Sequence, residues 1–255
     1  EFFQLGQDID GEAAYDYSGS SVSLSSDGNI VAIGAYGNDG NGSTSGHVRI
    51  YENDNGFWIQ LGQDINGEAT YDYFGRSVSL SSDGNIVAIG AYGNDGNGSS
   101  SGHVRIYENS NGTWTQIGQD IDGEVSSDYS GYSVSLSSDG NVVAIGAYAN
   151  DGNGSNSGHV RIYKNNNGSW TQLGQDIDGE STNDNSGYSV SLSSDGNIVA
   201  IGAPNNDGYS SSSGHVRIYK NIGENWVQLG QDIDGEAFED HSGCSVSLSS
   251  DGYTL

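Results

Sequence analysis

Methionine is absent from this 255-residue chain, proline and cysteine occur once each, and lysine and arginine together number only seven. The single cysteine, Cys244, excludes an internal disulfide. Seven bases against 34 acids leave a formal net charge of -27. A surface of that sign lacks the basic footprint that phosphate binding requires, so nucleic acid is excluded as a partner. Anionic membrane is disfavoured for the same reason, whereas a cationic partner, a divalent metal or a high-salt medium suits the charge. No apolar run approaches the roughly 20 residues of a membrane span. No segment carries the 3.6-residue periodicity of an amphipathic helix. Lacking an initiator, the chain reads as a processed product or an excerpt of a longer polypeptide.

What is present is a repeat. Leu-Gly-Gln-Asp-Ile begins at Leu61, Leu173 and Leu229, with Leu5 and Ile117 heading the other copies, always 56 residues apart and without insertion or deletion. A strict period of that length means one supersecondary unit stacked on copies of itself. Any side chain that does chemistry in one copy is therefore repeated in the others. The 41 glycines and the low apolar share fit a turn-rich β unit, and the regular pattern argues against disorder.

One copy reads as four strands. Ser21 to Ser25 alternates polar and apolar, with Val22 and Leu24 on one face. Ser26-Asp27-Gly28-Asn29 is a tight turn. Ile30 to Ala35 is an apolar run suited to a strand covered on both faces. After a polar mid-repeat loop (Tyr36 to Gly46), His47 to Tyr51 alternates again, and Phe57 to Ile65 forms the fourth strand. A polar inter-repeat loop leads to the next copy. Four antiparallel strands joined by short turns predict one blade of a β-propeller. The small first strand suits the crowded axis. The fourth, carrying Trp58, Trp114, Trp170 and Trp226 (Phe2 in the first copy), suits the wide rim. The expected division is 1–20 for the fourth strand of a split blade with its loop, blades at 21–76, 77–132, 133–188 and 189–244, and the start of another at 245–255. The orphan strands at the two ends (Phe2 to Ile9 and Ser245 to Ser249) point to further blades, seven in all.

The order Phe74-Gly75, Ser77-Val78-Ser79-Leu80, an Asp-Gly turn, an apolar strand ending Gly202-Ala203-Pro204 in one copy, and Gly46-x-Val48-x-Ile50-Tyr51 resembles the FG-GAP repeat of integrin alpha-subunit propellers. The resemblance covers essentially the whole chain. It implies a seven-bladed extracellular propeller used in adhesion and recognition. Calcium-binding members carry an Asp-x-Asp-x-Asp-Gly loop between the first two strands. Here Ser-Ser-Asp-Gly-Asn stands in its place, too short to wrap an ion, so that family site is not expected.

The acids are unevenly placed. The inter-repeat loops hold Asp8, Asp10, Glu12 and Asp16; Asp64, Glu68 and Asp72; Asp120, Asp122, Glu124 and Asp128; Asp176, Asp178, Glu180 and Asp184; and Asp232, Asp234, Glu236, Glu239 and Asp240. With Asp39, Asp95, Asp151 and Asp207 of the mid-repeat loops, 24 of the 34 acids are expected at one end of the propeller, where Arg76 is the single strong base. Carboxylates at alternate positions around a glycine turn, as in Asp8-x-Asp10-Gly11-Glu12 with Asp16 following, fit one Ca2+ per loop, completed by carbonyls or by Asn38 and Asp39 of a neighbouring loop. The competing reading has these side chains capping turns and staying solvated. Asn66 replaces one carboxylate, and the spacing is not that of an EF-hand.

His47, His103, His159 and His215 share a strand face with Arg49, Arg105, Arg161 and Arg217, and each pair is expected to bond acids or carbonyls of the adjacent blade. The tryptophans are expected between sheets. His241 breaks the repeat beside Asp240 without nucleophile or elbow context. Sequons at Asn41, Asn97, Asn111, Asn153 and Asn167 permit N-glycosylation. Loop positions from Ala13 to Ser20 vary most between copies within a constant frame, which is how repeat scaffolds present a binding surface. The expected function is a non-enzymatic, extracellular or cell-surface module that recognises protein or glycan through the acidic loops, with Ca2+ as cofactor. The alternative is a structural repeat of a filament, coat or appendage, whose partners are further copies. A thermal melt with and without millimolar Ca2+ tests the metal. Binding to the folded form alone adds about 2.7 kcal/mol at one hundred times Kd, and an unchanged melt removes calcium while leaving both functions standing.

Overall fold

The structure, a computed structural model, describes residues 4–255. Its elements are strands throughout. The first repeat forms β1 (Ser21–Leu24), β2 (Ile30–Ala35), β3 (His47–Asp54), β4 (Phe57–Gln60) and β5 (Ile65–Asn66). The second forms β6 (Ser77–Leu80), β7 (Ile86–Ala91), β8 (His103–Ser110), β9 (Thr113–Gln116) and β10 (Ile121–Asp122). The third forms β11 (Ser133–Leu136), β12 (Val142–Ala147), β13 (His159–Asn165), β14 (Trp170–Gln172) and β15 (Ile177–Asp178). The fourth forms β16 (Ser189–Leu192), β17 (Ile198–Ala203), β18 (His215–Ile222), β19 (Asn225–Gln228) and β20 (Ile233–Asp234). Each repeat is one antiparallel sheet ordered first, second, third and fourth strand.

The fourth strand is split, a departure from the continuous Phe57–Ile65 run expected. β4 and β5 pair with successive stretches of β3, Tyr51 opposite Gln60 and Val48 opposite Ile65. The four residues between them face only Arg49 and Ile50. Gly62, at φ +85, makes this outward bulge. A Cβ there would stand 2.4 Å from the Gly112 carbonyl oxygen and 3.0 Å from Trp114 of the next sheet, so the position takes only glycine.

The sheets stack through their first strands. β1 packs on β6, β6 on β11 and β11 on β16, which places the first strands around a common axis. The serines of the alternating first strand turn sideways to the neighbouring sheet. Ser77 Oγ donates to the Gly131 carbonyl at 2.8 Å, and Ser79 Oγ accepts from the Leu136 amide at 2.9 Å. At the first-turn end a backbone chain runs from sheet to sheet, Ser26 N to Ser82 O, Ser82 N to Ser138 O and Ser138 N to Ser194 O. Val78 and Leu80 are buried by this stacking, while their counterparts Val22 and Leu24 on the first sheet stand 61% and 58% exposed.

The rim is closed by tryptophan. Trp114 Nε1 donates to Leu61 O at 2.8 Å, and Trp170 and Trp226 repeat the contact with Ile117 and Leu173. All three are nearly fully buried between sheets. Residues 4–9 and Ser245–Ser249, expected as orphan strands, are not strands, since no third or second strand lies beside them to complete a ladder. They keep the inter-sheet contacts nonetheless: Trp58 Nε1 donates to Leu5 O, and the Leu248 amide donates to Ser191 Oγ. Phe2 lies outside the described residues. Replacing Trp114 with alanine is expected to cost about 3–5 kcal/mol. The half-buried Trp58, changed likewise, should cost clearly less. Urea unfolding of the two variants checks this, and equal losses would mean that the seam is not where the tryptophan acts.

Candidate functional site

The mid-repeat loop of each sheet is gripped by the inter-repeat loops on both sides. Gly37 N donates to Asp16 O, while Tyr71 N, Tyr73 N and Phe74 N donate to Ser43 O, Thr44 O and Ser45 O. The acid-bearing loops therefore share one end of the stack, opposite the first turns.

Within a loop, the carboxylates do not converge; they serve separate partners. The Asp16 class (Asp72, Asp128, Asp184) is buried and caps the turn. Asp72 accepts from Ala69 N at 2.9 Å, and Asp184 accepts from Ser181 N and from Asn206 Nδ2. Asp240, its exposed counterpart in the last copy, accepts from Ala237 N at 2.7 Å. The Asp64 class stands on the bulge and faces the third strand. Arg49 reaches Asp64 through Nε at 3.0 Å and Nη2 at 2.9 Å, and Arg105 reaches Asp120 in the same two-pronged way. These guanidiniums hold both carboxyls below the ordinary aspartate range. Asp8, Asp176 and Asp232 accept instead from the amides of Gln4, Gln172 and Gln228. The glutamates cross to the next sheet: Glu12 pairs with Arg49, Glu68 with Arg105 at 2.6 Å, Glu124 with Arg161 at 3.5 Å and Glu180 with Arg217 at 3.3 Å. Asp122, Asp178 and Asp234 lie in the short strands opposite the third-strand histidines, and Asp10 and Glu236 are exposed. The mid-repeat acids cap their own loops, Asp39 accepting from Thr44 N at 2.7 Å.

Convergence occurs between loops. Glu12, His47 and Asp64 bring ligand atoms within 4.8 Å of one another, and Glu68–His103–Asp120, Glu124–His159–Asp176 and Glu180–His215–Asp232 repeat the group. The arginines bond acids or carbonyls of the adjacent sheet as expected, but the buried histidines do not share those bonds. Neither ring nitrogen of His103 has a hydrogen-bond partner. Burial, reinforced by Arg105, lowers the His103 pKa to about 4, and His159 is lowered likewise by burial and Arg161.

A tyrosine arc around the axis went unread as a unit in the sequence. Tyr17 stacks on Tyr36 at 5.0 Å, Tyr73 on Tyr92 at 4.9 Å and Tyr129 on Tyr148 at 5.5 Å. Tyr132 and Tyr188 continue it at the mouth of a 290 Å³ axial pocket, with Arg76 4.4 Å above the Tyr132 ring. Tyr17, Tyr73 and Tyr129 sit at φ near +55, unusual for a bulky side chain, and Asn185 and His241 hold the same conformation where the arc ends. The available signal was the recurrence of Gly-Ala-Tyr and of tyrosine two residues before Gly19, Gly75 and Gly131.

The five sequons divide. Asn41, Asn97 and Asn153 donate their side-chain amides to the Gly67, Gly123 and Gly179 carbonyls at 2.8–2.9 Å, so the nitrogen that would carry sugar is engaged. Asn111 and Asn167 are exposed in the third-to-fourth-strand turns.

The sequence profile of the FG-GAP repeat matches residues 9–51, 66–107 and 121–163. The chain belongs to the FG-GAP repeat family. A search of curated proteins gives no match. Among solved structures, this FG-GAP chain is similar to a candidate 6-phosphogluconolactonase of Bacteroides uniformis (TM-score 0.58, 14% identity, 85% of this chain and 55% of the other). It is also similar to the hydrazine synthase of Kuenenia stuttgartiensis (0.55, 11%, 91% and 53%) and to the periplasmic gluconolactonase PpgL of Pseudomonas aeruginosa (0.53, 18%, 86% and 58%). The chain thus spans a little over half the length of these structures. At such identities the likeness shows the propeller fold alone.

Because His103 and His159 are neutral when folded, the unfolded chain binds more protons between pH 6.5 and about 4. Their stabilisation is complete above pH 6.5 and is lost as pH falls towards 4, about 3 kcal/mol per fully buried histidine. Unfolding free energy should therefore drop between pH 6.5 and 5. A flat profile across that window would contradict the neutral state.

Proposed function

We propose that this FG-GAP segment is a non-enzymatic recognition module, displayed extracellularly, which binds protein or glycan through its loop-bearing end. The observation that carries the reading is the union of variable acidic loops and the tyrosine arc on one end of a rigid stack. Rings with polar tips offer apolar area and hydrogen bonds to sugars and peptides alike. The repeated seams support the absence of catalysis: their carboxylates meet guanidiniums, glutamine amides and backbone N–H groups. Calcium belongs to this reading as one ion per inter-repeat loop; burial first, then Asp120 and Asp176 beside them, raises Asp122 and Asp178 above the ordinary range, a cost that a bound cation would relieve.

A second reading, a structural repeat of an extracellular filament or coat, draws support from the uncovered face of the first sheet, where Val22 and Leu24 are 61% and 58% exposed. The test is binding of labelled protein to arrays of glycans and extracellular-matrix proteins. The exposed loop acids are changed together as Asp39→Asn, Asp95→Asn, Asp151→Asn and Asp207→Asn, and Asp27→Asn with Asp83→Asn at the opposite end serves as control. The loop variant should lose binding at least tenfold and the control should keep it. Equal retention by both variants sinks the recognition face, and sedimentation of the native chain as large assemblies would favour the filament.

A further inference from the structure

The four Glu–His–Asp groups are not equivalent. In the first two seams a guanidinium occupies the space between the carboxylates: Arg105 Nη2 lies 2.6 Å from both Glu68 and Asp120, and Arg49 bridges Glu12 and Asp64 in the same way. In the last two seams the guanidinium has turned aside. Arg161 Nη2 donates to Asp122 O at 2.7 Å and Arg217 Nη2 to Asp178 O at 3.1 Å. Each keeps only a long contact to its glutamate, 3.5 and 3.3 Å. Asp176 and Asp232 are left with one glutamine amide each.

Against these carboxylates stand His159 and His215, each 1% exposed. His215 Nδ1 has no hydrogen-bond partner and lies 3.7 Å from Asp232 Oδ2; His159 Nδ1 lies 4.0 Å from Asp176 Oδ2. Those distances are too long for hydrogen bonds. They match two ligands of one ion, each about 2.1 Å from it. The half-exposed glutamate can swing in as the third ligand, leaving a fourth position to water. An imidazole nitrogen with two carboxylates suits zinc-class ions rather than calcium, which takes six to eight oxygens.

We propose that the third and fourth seams each bind a divalent transition-metal ion of the zinc class, through Glu124, His159 and Asp176 and through Glu180, His215 and Asp232. The arginines of the first two seams hold the corresponding places there, so the capacity is two ions per chain. The metal would pin two successive inter-repeat loops to one strand. This assignment stands apart from whatever the loop face recognises.

Titration of the full chain with Co2+, followed by visible absorption, tests it. A saturable d–d band at two ions per chain, displaced by Zn2+ and unaffected by millimolar Ca2+, is expected. The pair His159→Gln and His215→Gln should abolish the band, whereas His47→Gln with His103→Gln should keep it. Glu124→Gln with Glu180→Gln, at half-exposed positions that leave the core intact, should weaken Co2+ binding at least tenfold. Absence of a saturable band, its survival in the His159→Gln/His215→Gln variant, a capacity of four, or full affinity in the glutamate variant would each overturn the proposal.

Discussion

The structure depends on hydrogen bonds that cross from one sheet to the next. Each sheet is short, and its first strand spans only four residues. Much of its polar inventory is satisfied by a neighbour: serine hydroxyls on glycine carbonyls, a strand amide on a serine oxygen, an indole N–H on the carbonyl before the bulge, and Gln63 clasping the Trp114 backbone from both sides. Buried donors and acceptors are costly when unpaired, so a repeat of this kind is specified together with its neighbours rather than alone.

The bulge after the fourth strand converts that stacking into electrostatics. Two surplus residues at Gly62 lift Asp64 to the height of Arg49, while the preceding loop delivers Glu12 from the other side. Like charge gathered at one end is destabilising by self-repulsion, and the third-strand arginines offset part of it at every seam. The remainder of that charge stays on the loop tips.

Much of this was legible in the sequence. The 56-residue interval, the Asp-Gly turns and the alternating strands specify a propeller blade, and the tryptophans mark the seam. What escaped reading involves contacts made across copies. Ser77 and Ser79 look like the solvent face of an amphipathic strand, yet they point at a neighbour. Asp120, Asp122 and Glu124 look like one ion cage, as Asp8, Asp10 and Glu12 do, yet the break between β9 and β10 sends them in different directions. The tyrosine arc is invisible locally because each stacked pair joins an inter-repeat loop to a mid-repeat loop. Linear spacing carries information about one sheet; it carries little about the angle between two.

The engaged and free sequons lie at opposite ends. Those at Asn41, Asn97 and Asn153 are tied into the acidic loops, while Asn111 and Asn167 stand where the third strand turns into the fourth, beside the first turns. Oligosaccharides added in a secretory compartment would therefore sheathe only the pole remote from the tyrosines. Such a lopsided sugar coat would leave the charged pole bare.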